Sequence, residues 1–316
     1  MQVRMKTTWL HCATVLCSLY CALSQSARCP PNCLCDGTVI DCSNNKLSAV
    51  PHIQPQSSAL VVNFSSNSLT SLENLQNFPS SQTTLDLSFN QISSIPLNAF
   101  NGEQFLELHT LNLTSNLITE VHFVFPSSLQ VLRLSKNEIQ HFCVERLKNL
   151  FQLRALSLEL NGLRTLACEE NGLDEKGGIG QKGGPQEECP FQPLRRIREV
   201  SLRGNKLNTL DQAAMRCFQN TQFLSLADNS IQSLPSKLFL TFQRMKYLDL
   251  SGNQLTHIPE GMFNRLAGLK FLSLARNRLP AVPAALPMLE WLDLSHNAIT
   301  SVAEAQKSDL YPQVEM

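Results

Sequence analysis

An asparagine that returns about every 24 residues, behind a constant spacing of apolar residues, is the feature that most restricts what this chain can fold into. In the stretch MKYLDLSGNQL, Met245, Leu248, Leu250, Asn253 and Leu255 occupy positions 1, 4, 6, 9 and 11. The same frame fits Asn67, Asn90, Asn116, Asn137, Asn161, Asn205, Asn229, Asn277 and Asn297. A further copy has Asn45 with Ile40, Cys42 and Leu47 in its apolar positions. Successive asparagines lie 22, 23, 26, 21, 24, 44, 24, 24, 24 and 20 residues apart. The alternation predicts a short strand in each copy, with positions 4 and 6 pointing inward and 3, 5 and 7 outward. The asparagine falls where the strand turns away. Its amide both donates and accepts, so it can satisfy backbone groups that the turn would leave unpaired inside. One copy cannot bury its own apolar face, so the copies must stack.

The spacing L-x-x-L-x-L-x-x-N-x-L is the leucine-rich repeat signature, and the resemblance runs from about Cys29 to Thr300. It implies an α/β repeat solenoid: a horseshoe with a parallel concave β-sheet and an irregular convex side. Ile95-Pro96…Phe100 and Ile258-Pro259…Phe263…Leu266 suit such a convex side better than long helices. Three segments and a tail follow: a signal peptide over 1–24, a cysteine cap over 25–58, ten repeats over 59–300 with an insertion at 169–188, and a short polar tail over 301–316.

Arg4 and Lys6, followed by the mostly apolar run Trp9–Leu23 and by Ala22-Leu23-Ser24, have the form of a secretory signal cut after Ser24. Removing those two charges from the 26 basic residues leaves 24 against 26 acidic, which gives no reason to expect a nucleic-acid partner. No later apolar run is long enough to span a bilayer, so the mature chain is expected to carry no membrane anchor. Cys12, Cys17 and Cys21 lie in the signal, and eight of the eleven cysteines remain, an even number that fits an oxidising compartment. No cysteine follows Cys217, so repeat ten is expected to expose apolar edges around Leu292 and Leu294 unless the tail or a partner covers them.

Cys29, Cys33, Cys35 and Cys42 have the spacing C-x3-C-x-C-x6-C directly before the first repeat. A solenoid end needs a polar cap, and four cysteines in 14 residues can staple one too small for its own core. A zinc site is the competing reading. The spacing resembles the N-terminal cap of the small leucine-rich proteoglycans of the decorin and biglycan type. That resemblance implies the pairs Cys29–Cys35 and Cys33–Cys42. It also implies a secreted protein of the extracellular space or matrix that binds collagen or a growth factor of the TGF-β type.

Cys143, Cys168, Cys189 and Cys217 sit near the interrupted repeat. Twenty residues, EENGLDEKGGIGQKGGPQEE, separate Cys168 from Cys189 and have the composition of a solvated surface loop. With the loop cut out, Cys143 and Cys168 differ by one turn and one position, and Cys189 and Cys217 by one turn and four. These two bridges compete with Cys168–Cys189, which would close the neck of the excursion. Asn63 and Asn112 stand in the only N-x-S/T sequons, at position 5, and are candidate glycosylation sites.

No catalytic signature is present: no HExxH, no GxSxG, no phosphate loop, no dinucleotide fingerprint. The chain is therefore read as a binding protein, not an enzyme, with no cofactor and no metal site. His141 beside Cys143 is read as a surface residue next to a structural cysteine. The informative surface is the concave face. At position 3, four successive repeats carry Phe223, Tyr247, Phe271 and Trp291, an outward aromatic row with Asp249 and Asp293 beside it at position 5. These six residues are the candidate ligand-binding set. Arg133, Lys136, Arg154, Arg198 and Arg203 form a basic stretch in the middle of the same face. The alternative to a secreted binder is a truncated ligand-binding ectodomain of a cell-surface receptor or adhesion protein built from the same repeats.

Overall fold

The structure is a computed structural model that describes residues 29–53, 58–73, 75, 78–168, 189–192, 194–283, 289–300 and 314–315. The insertion 169–188, the signal at 1–24 and most of the tail lie outside the described residues.

The architecture is a parallel-strand solenoid with little helix. β1 (Leu34–Asp36) and β2 (Val39–Asp41) form an antiparallel cap hairpin that turns at Gly37, whose φ is +55°. β2 then starts a parallel run that follows chain order: β3 (Val61–Asn63), β4 (Thr84–Asp86), β5 (Thr110–Asn112), β6 (Val131–Arg133), β7 (Ala155–Ser157), β8 (Glu199–Ser201), β9 (Phe223–Ser225), β10 (Tyr247–Asp249), β11 (Phe271–Ser273) and β12 (Trp291–Asp293). Every pair is in register, position 3 on 3 and 4 on 4, as in Tyr247 with Phe271 and Leu248 with Leu272. β13 (Val314–Glu315) adds to the edge of β12, with Val314 opposite Leu292 and Glu315 opposite Asp293.

Position 4 is buried from Ile40 to Leu292, and position 6 from Cys42 to Leu294. The expected exposed edge at the last repeat is thus corrected: Leu292 and Leu294 are buried, and β13 takes up part of the strand edge beside them. On the convex side, chains of phenylalanine rings replace regular helices as filler. Phe64, Phe78, Phe105, Phe100, Phe123 and Phe125 touch in sequence at centroid distances between 4.9 and 6.2 Å. The convex elements that do form are short: 3-10 turns at Glu103–Phe105 and Val144–Leu147, and α1 (Gln212–Arg216), whose Asp211 caps Ala214 N–H.

The asparagines knit the turns together. Asn253 Nδ2 donates to the carbonyls of Leu226, one turn back, and of its own Leu250, both at 3.0 Å. Its Oδ1 accepts the Ile231 N–H at 3.0 Å. The same pattern runs from Asn67 to Asn297. To aim the amide inward, the residue before each asparagine takes a left-handed conformation, Phe89 (φ 54°) and Leu160 (φ 52°) included.

Disulfides join Cys29 to Cys35 and Cys33 to Cys42 in the cap, with Cα separations of 5.8 and 4.3 Å. Two more join Cys143 to Cys168 at 4.5 Å and Cys189 to Cys217 at 5.0 Å. Each of the latter links neighbouring turns, and neither spans the insertion. β7 and β8 still pair directly, and Asn205 reaches back across the gap to the Leu158 carbonyl at 2.9 Å.

Two predictions follow from this packing. A protease site placed between Cys168 and Cys189 and cut in the folded protein should leave one species by size-exclusion chromatography. A non-reducing denaturing gel should separate two fragments; a single full-mass band would show a bridge across the cut. The second concerns Gln82, which fills position 1, where Leu108 and Leu129 stand in later turns. It is fully buried, and among the described residues neither end of its amide has a hydrogen-bond partner. Thr221, polar at the same position, donates to the Phe218 carbonyl at 2.6 Å. An unsatisfied buried amide costs about 1–3 kcal/mol. Gln82→Leu should therefore raise the melting temperature by a few degrees, measurable by calorimetry; an unchanged or lower Tm would contradict it.

Candidate binding face

The concave sheet divides into two chemically different halves. In β3 to β7, position 3 holds Val61, Thr84, Thr110, Val131 and Ala155. Position 5 there holds Asn63, Asp86, Asn112, Arg133 and Ser157. The sequon asparagines are half-buried on their strands. Asn63 Oδ1 accepts the Ser65 N–H at 2.9 Å. Asn112 Oδ1 accepts the Thr114 N–H at 3.1 Å, while its Nδ2 donates to Asp86 at 3.0 Å.

In β9 to β12 the aromatic row is continuous. Phe223 to Tyr247, Tyr247 to Phe271 and Phe271 to Trp291 have ring centroids 6.4, 6.3 and 6.5 Å apart and interplanar angles of 33°, 38° and 44°. The parallel in-register pairing of position 3 produces this row without any further device. Phe223 is 48% exposed and Phe271 38%, so the rings keep free area on the concave side. Partial burial raises the Tyr247 hydroxyl above its ordinary pKa; Asp249 pushes the same way and Arg203 opposes. The ladder therefore stays uncharged at neutral pH.

Asp249 and Asp293 stand two residues beyond Tyr247 and Trp291 on the same faces. Each uses Oδ1 to accept a backbone N–H, from Ser251 at 3.0 Å and Ser295 at 2.9 Å. Among the described residues neither carboxylate meets a cation.

Several other charges near the ladder are paired within the protein, while Arg198 and Lys246 have no ion-pair partner among the described residues. Asp228 accepts from Arg203 at 3.0 Å and from Arg276 at 3.1 Å. Lys270 pairs with Glu290 at 2.5 Å. A Cβ at Gly252 (φ +63°) would lie 2.2 Å from Asp228 Oδ1, so the missing side chain is what lets Asp228 reach toward Arg276. Gly252 stands at position 8 of its repeat, where most other repeats carry a side chain. The pairing also thins the basic stretch, because Arg203 faces an acid; Arg133, Lys136, Arg154 and Arg198 remain exposed.

Among the described residues, Cys143, Glu145 and Cys168 form the one group close enough to hold a metal ion. Both thiols there are committed to a disulfide, so the group does not fit a metal. His141 lies in a backbone bridge with Thr165.

Comparison with known proteins places these repeats. Residues 219–279 and 83–102 match the Leucine rich repeat family, and residues 28–54 match the Leucine rich repeat N-terminal domain, LRRNT. This chain is a leucine-rich repeat protein with an N-terminal LRRNT domain. It is similar to Leucine-rich repeat-containing protein 3B of mouse and human, 30% identical over 158 residues, which cover 49% of this chain and 59% of that protein. The chain thus spans less than two-thirds of the length of these curated relatives. The leucine-rich repeat fold is shared with a Leptospira interrogans protein, LIC12759, at a TM-score of 0.68 and 23% identity, covering 89% of this chain and 68% of that one. It is also shared with the structure of the octameric complex of Latrophilin 3, Unc5D and FLRT2 (LRR), at 0.58 and 23%, covering 90% and 76%. No helix among the described residues is long and apolar enough to cross a membrane.

Proposed function

We propose that this leucine-rich repeat protein is a secreted, non-enzymatic binder of the extracellular space or matrix. Its site for a protein ligand is the C-terminal half of the concave face. The observation that carries the reading is the continuous aromatic row from Phe223 to Trp291, exposed on a face with no other element packed on it among the described residues. Aromatic residues with free area are the usual anchors of protein interfaces. The disulfide-stapled cap suits an oxidising compartment, and its resemblance to the small leucine-rich proteoglycans makes collagen or a TGF-β-type growth factor the first ligands to try. Glycans on Asn63 and Asn112 would occupy the N-terminal half of the face and leave the ladder open. The second reading, a cell-surface ectodomain, draws on the FLRT2 repeats, which occur in a complex with Latrophilin 3 and Unc5D.

Expression in mammalian cells should deliver the protein to the medium, and glycosidase treatment should lower its apparent mass. Loss of that shift only when both Asn63→Gln and Asn112→Gln are present would locate both glycans; retention inside the cell would contradict secretion. In a binding screen against extracellular proteins, Tyr247→Ala and Phe271→Ala should each weaken the ligand found by about 1–3 kcal/mol while leaving the melting temperature unchanged. Equal affinity of both variants and the parent would overturn the site.

A further inference from the structure

The ladder has two chemically distinct long sides. On the position-2 side lie Arg198, Lys246 and Lys270, the last neutralised by Glu290. On the position-5 side lie Ser225, Asp249, Ser273 and Asp293. The two carboxylates on that side are held in place by the Ser251 and Ser295 N–H groups and, among the described residues, have no cation to neutralise them. Asp228 shows the contrast: it is shared by two arginines. Glu315 takes the same register position one strand beyond Asp293.

Each free carboxylate therefore lies beside a ring: Asp249 by Tyr247, and Asp293 by Trp291. A guanidinium or ammonium group placed there meets a carboxylate and an aromatic face together. Both attract it, and partial desolvation strengthens the pull. The spacing of these two subsites selects the shape of the partner. They are two turns apart, with Ser273 between them, which at a strand separation of about 4.8 Å is roughly 9.6 Å. A polyproline-II segment rises about 3.1 Å per residue and brings side chains i and i+3 onto one face about 9.3 Å apart.

We infer, building on the proposed binding face, that the ladder receives an extended polypeptide segment lying across the strands, with basic side chains at i and i+3 seated at Tyr247–Asp249 and Trp291–Asp293. The apolar residues between the two cations cover Phe271. The match is one of charge and of repeat length, so an anionic chain such as a sulphated glycan is the wrong partner for this side of the ladder.

The test uses intrinsic fluorescence, because Trp291 is the one tryptophan after residue 24 and sits in the proposed site. The secreted protein is titrated with a synthetic peptide carrying arginine at every third residue with prolines between, at up to millimolar concentration. Controls are the same peptide with glutamate for arginine, a peptide with arginine at every second residue, and heparin. The arginine-every-third peptide should change Trp291 emission saturably. Asp249→Asn and Asp293→Asn, which keep an oxygen to accept the serine N–H, should each weaken it about two- to fivefold. The glutamate peptide should not bind, and arginine at every second residue should bind more weakly.

Three results overturn the inference: no saturable change with the arginine peptide, equal binding of the glutamate peptide or heparin at this site, or unchanged affinity in both asparagine variants. The broader binding face is judged separately with a natural ligand. If that ligand is lost in Tyr247→Ala but retained in Asp249→Asn and Asp293→Asn, the face stands and the basic-segment inference falls. If none of these variants alters it, both fall.

Discussion

The buried asparagine at position 9 is the contact on which the rest of this molecule depends. Each one closes backbone groups in two turns at once. Its amide N–H groups reach the position-6 carbonyl of its own turn and of the turn before, and its oxygen takes the position-11 N–H of the turn before. Left unpaired inside, each such group would cost about 1–3 kcal/mol. The geometry requires a left-handed residue just ahead, at roughly 1–2 kcal/mol for a residue with a side chain. Several satisfied groups outweigh one strained dihedral, which is why even Phe89 and Leu160 accept that conformation. Because leucines and asparagines carry the stacking, positions 3 and 8 stay out of the core and vary widely, whereas position 7 is often held by a small buried residue such as Ser88, Ala227 or Ala275.

The insertion illustrates how local these constraints are. Between Asn161 and Asn205 the chain gains twenty residues over its neighbours, yet the ladder continues: Leu163 N–H meets Asn205 Oδ1 at 3.1 Å, as in an uninterrupted turn. A repeat contacts only its neighbours, and extending a surface connection adds little closure entropy. The disulfides stand on either side of the excursion and tie each flank to an adjacent turn. The two halves of the solenoid therefore depend on the continuous apolar core, sheet pairing and Asn205 for their cohesion, not on a disulfide across the neck.

The fold was legible because its rule is written in single residues at fixed spacing. Leu248 and Leu250 inward, Tyr247 and Asp249 outward, and Asn253 at the turn all follow from alternation and from the valence of one amide. The aromatic row was legible for the same reason, since in-register parallel strands stack like positions. Three things were not. The strand at Val314–Glu315 is only two residues long and carries no asparagine, so nothing in the local pattern separates it from a polar tail. The Asp228–Arg276 ion pair crosses two turns and depends on the absence of a side chain at Gly252, a relation between repeats that spacing alone does not show. Gln82 was also missed. It occupies an apolar position, and only its burial without partners shows that the position tolerates a polar residue at a cost.

Self-stacking of the ladder is the rival explanation for its aromatic residues, and magnitudes separate the two. Aromatic neighbours across paired strands gain roughly 0.2–1 kcal/mol per pair, a gain the tilted contacts at 6.3–6.5 Å supply in full with nothing bound. That gain needs only the sides of the rings. It does not account for the ring area left facing the concave space, nearly half of Phe223 and more than a third of Phe271. Apolar area held in water forgoes about 25 cal/mol per Å², and smaller side chains such as Thr84 and Ala155 serve at the same position elsewhere in the sheet. Nor does stacking explain why, among the described residues, Asp249 and Asp293 stand beside the rings without a cation while Asp228 nearby is shared by two. Ring area and unneutralised charge at one edge of one half of the face are what a partner can use and what the solenoid itself does not.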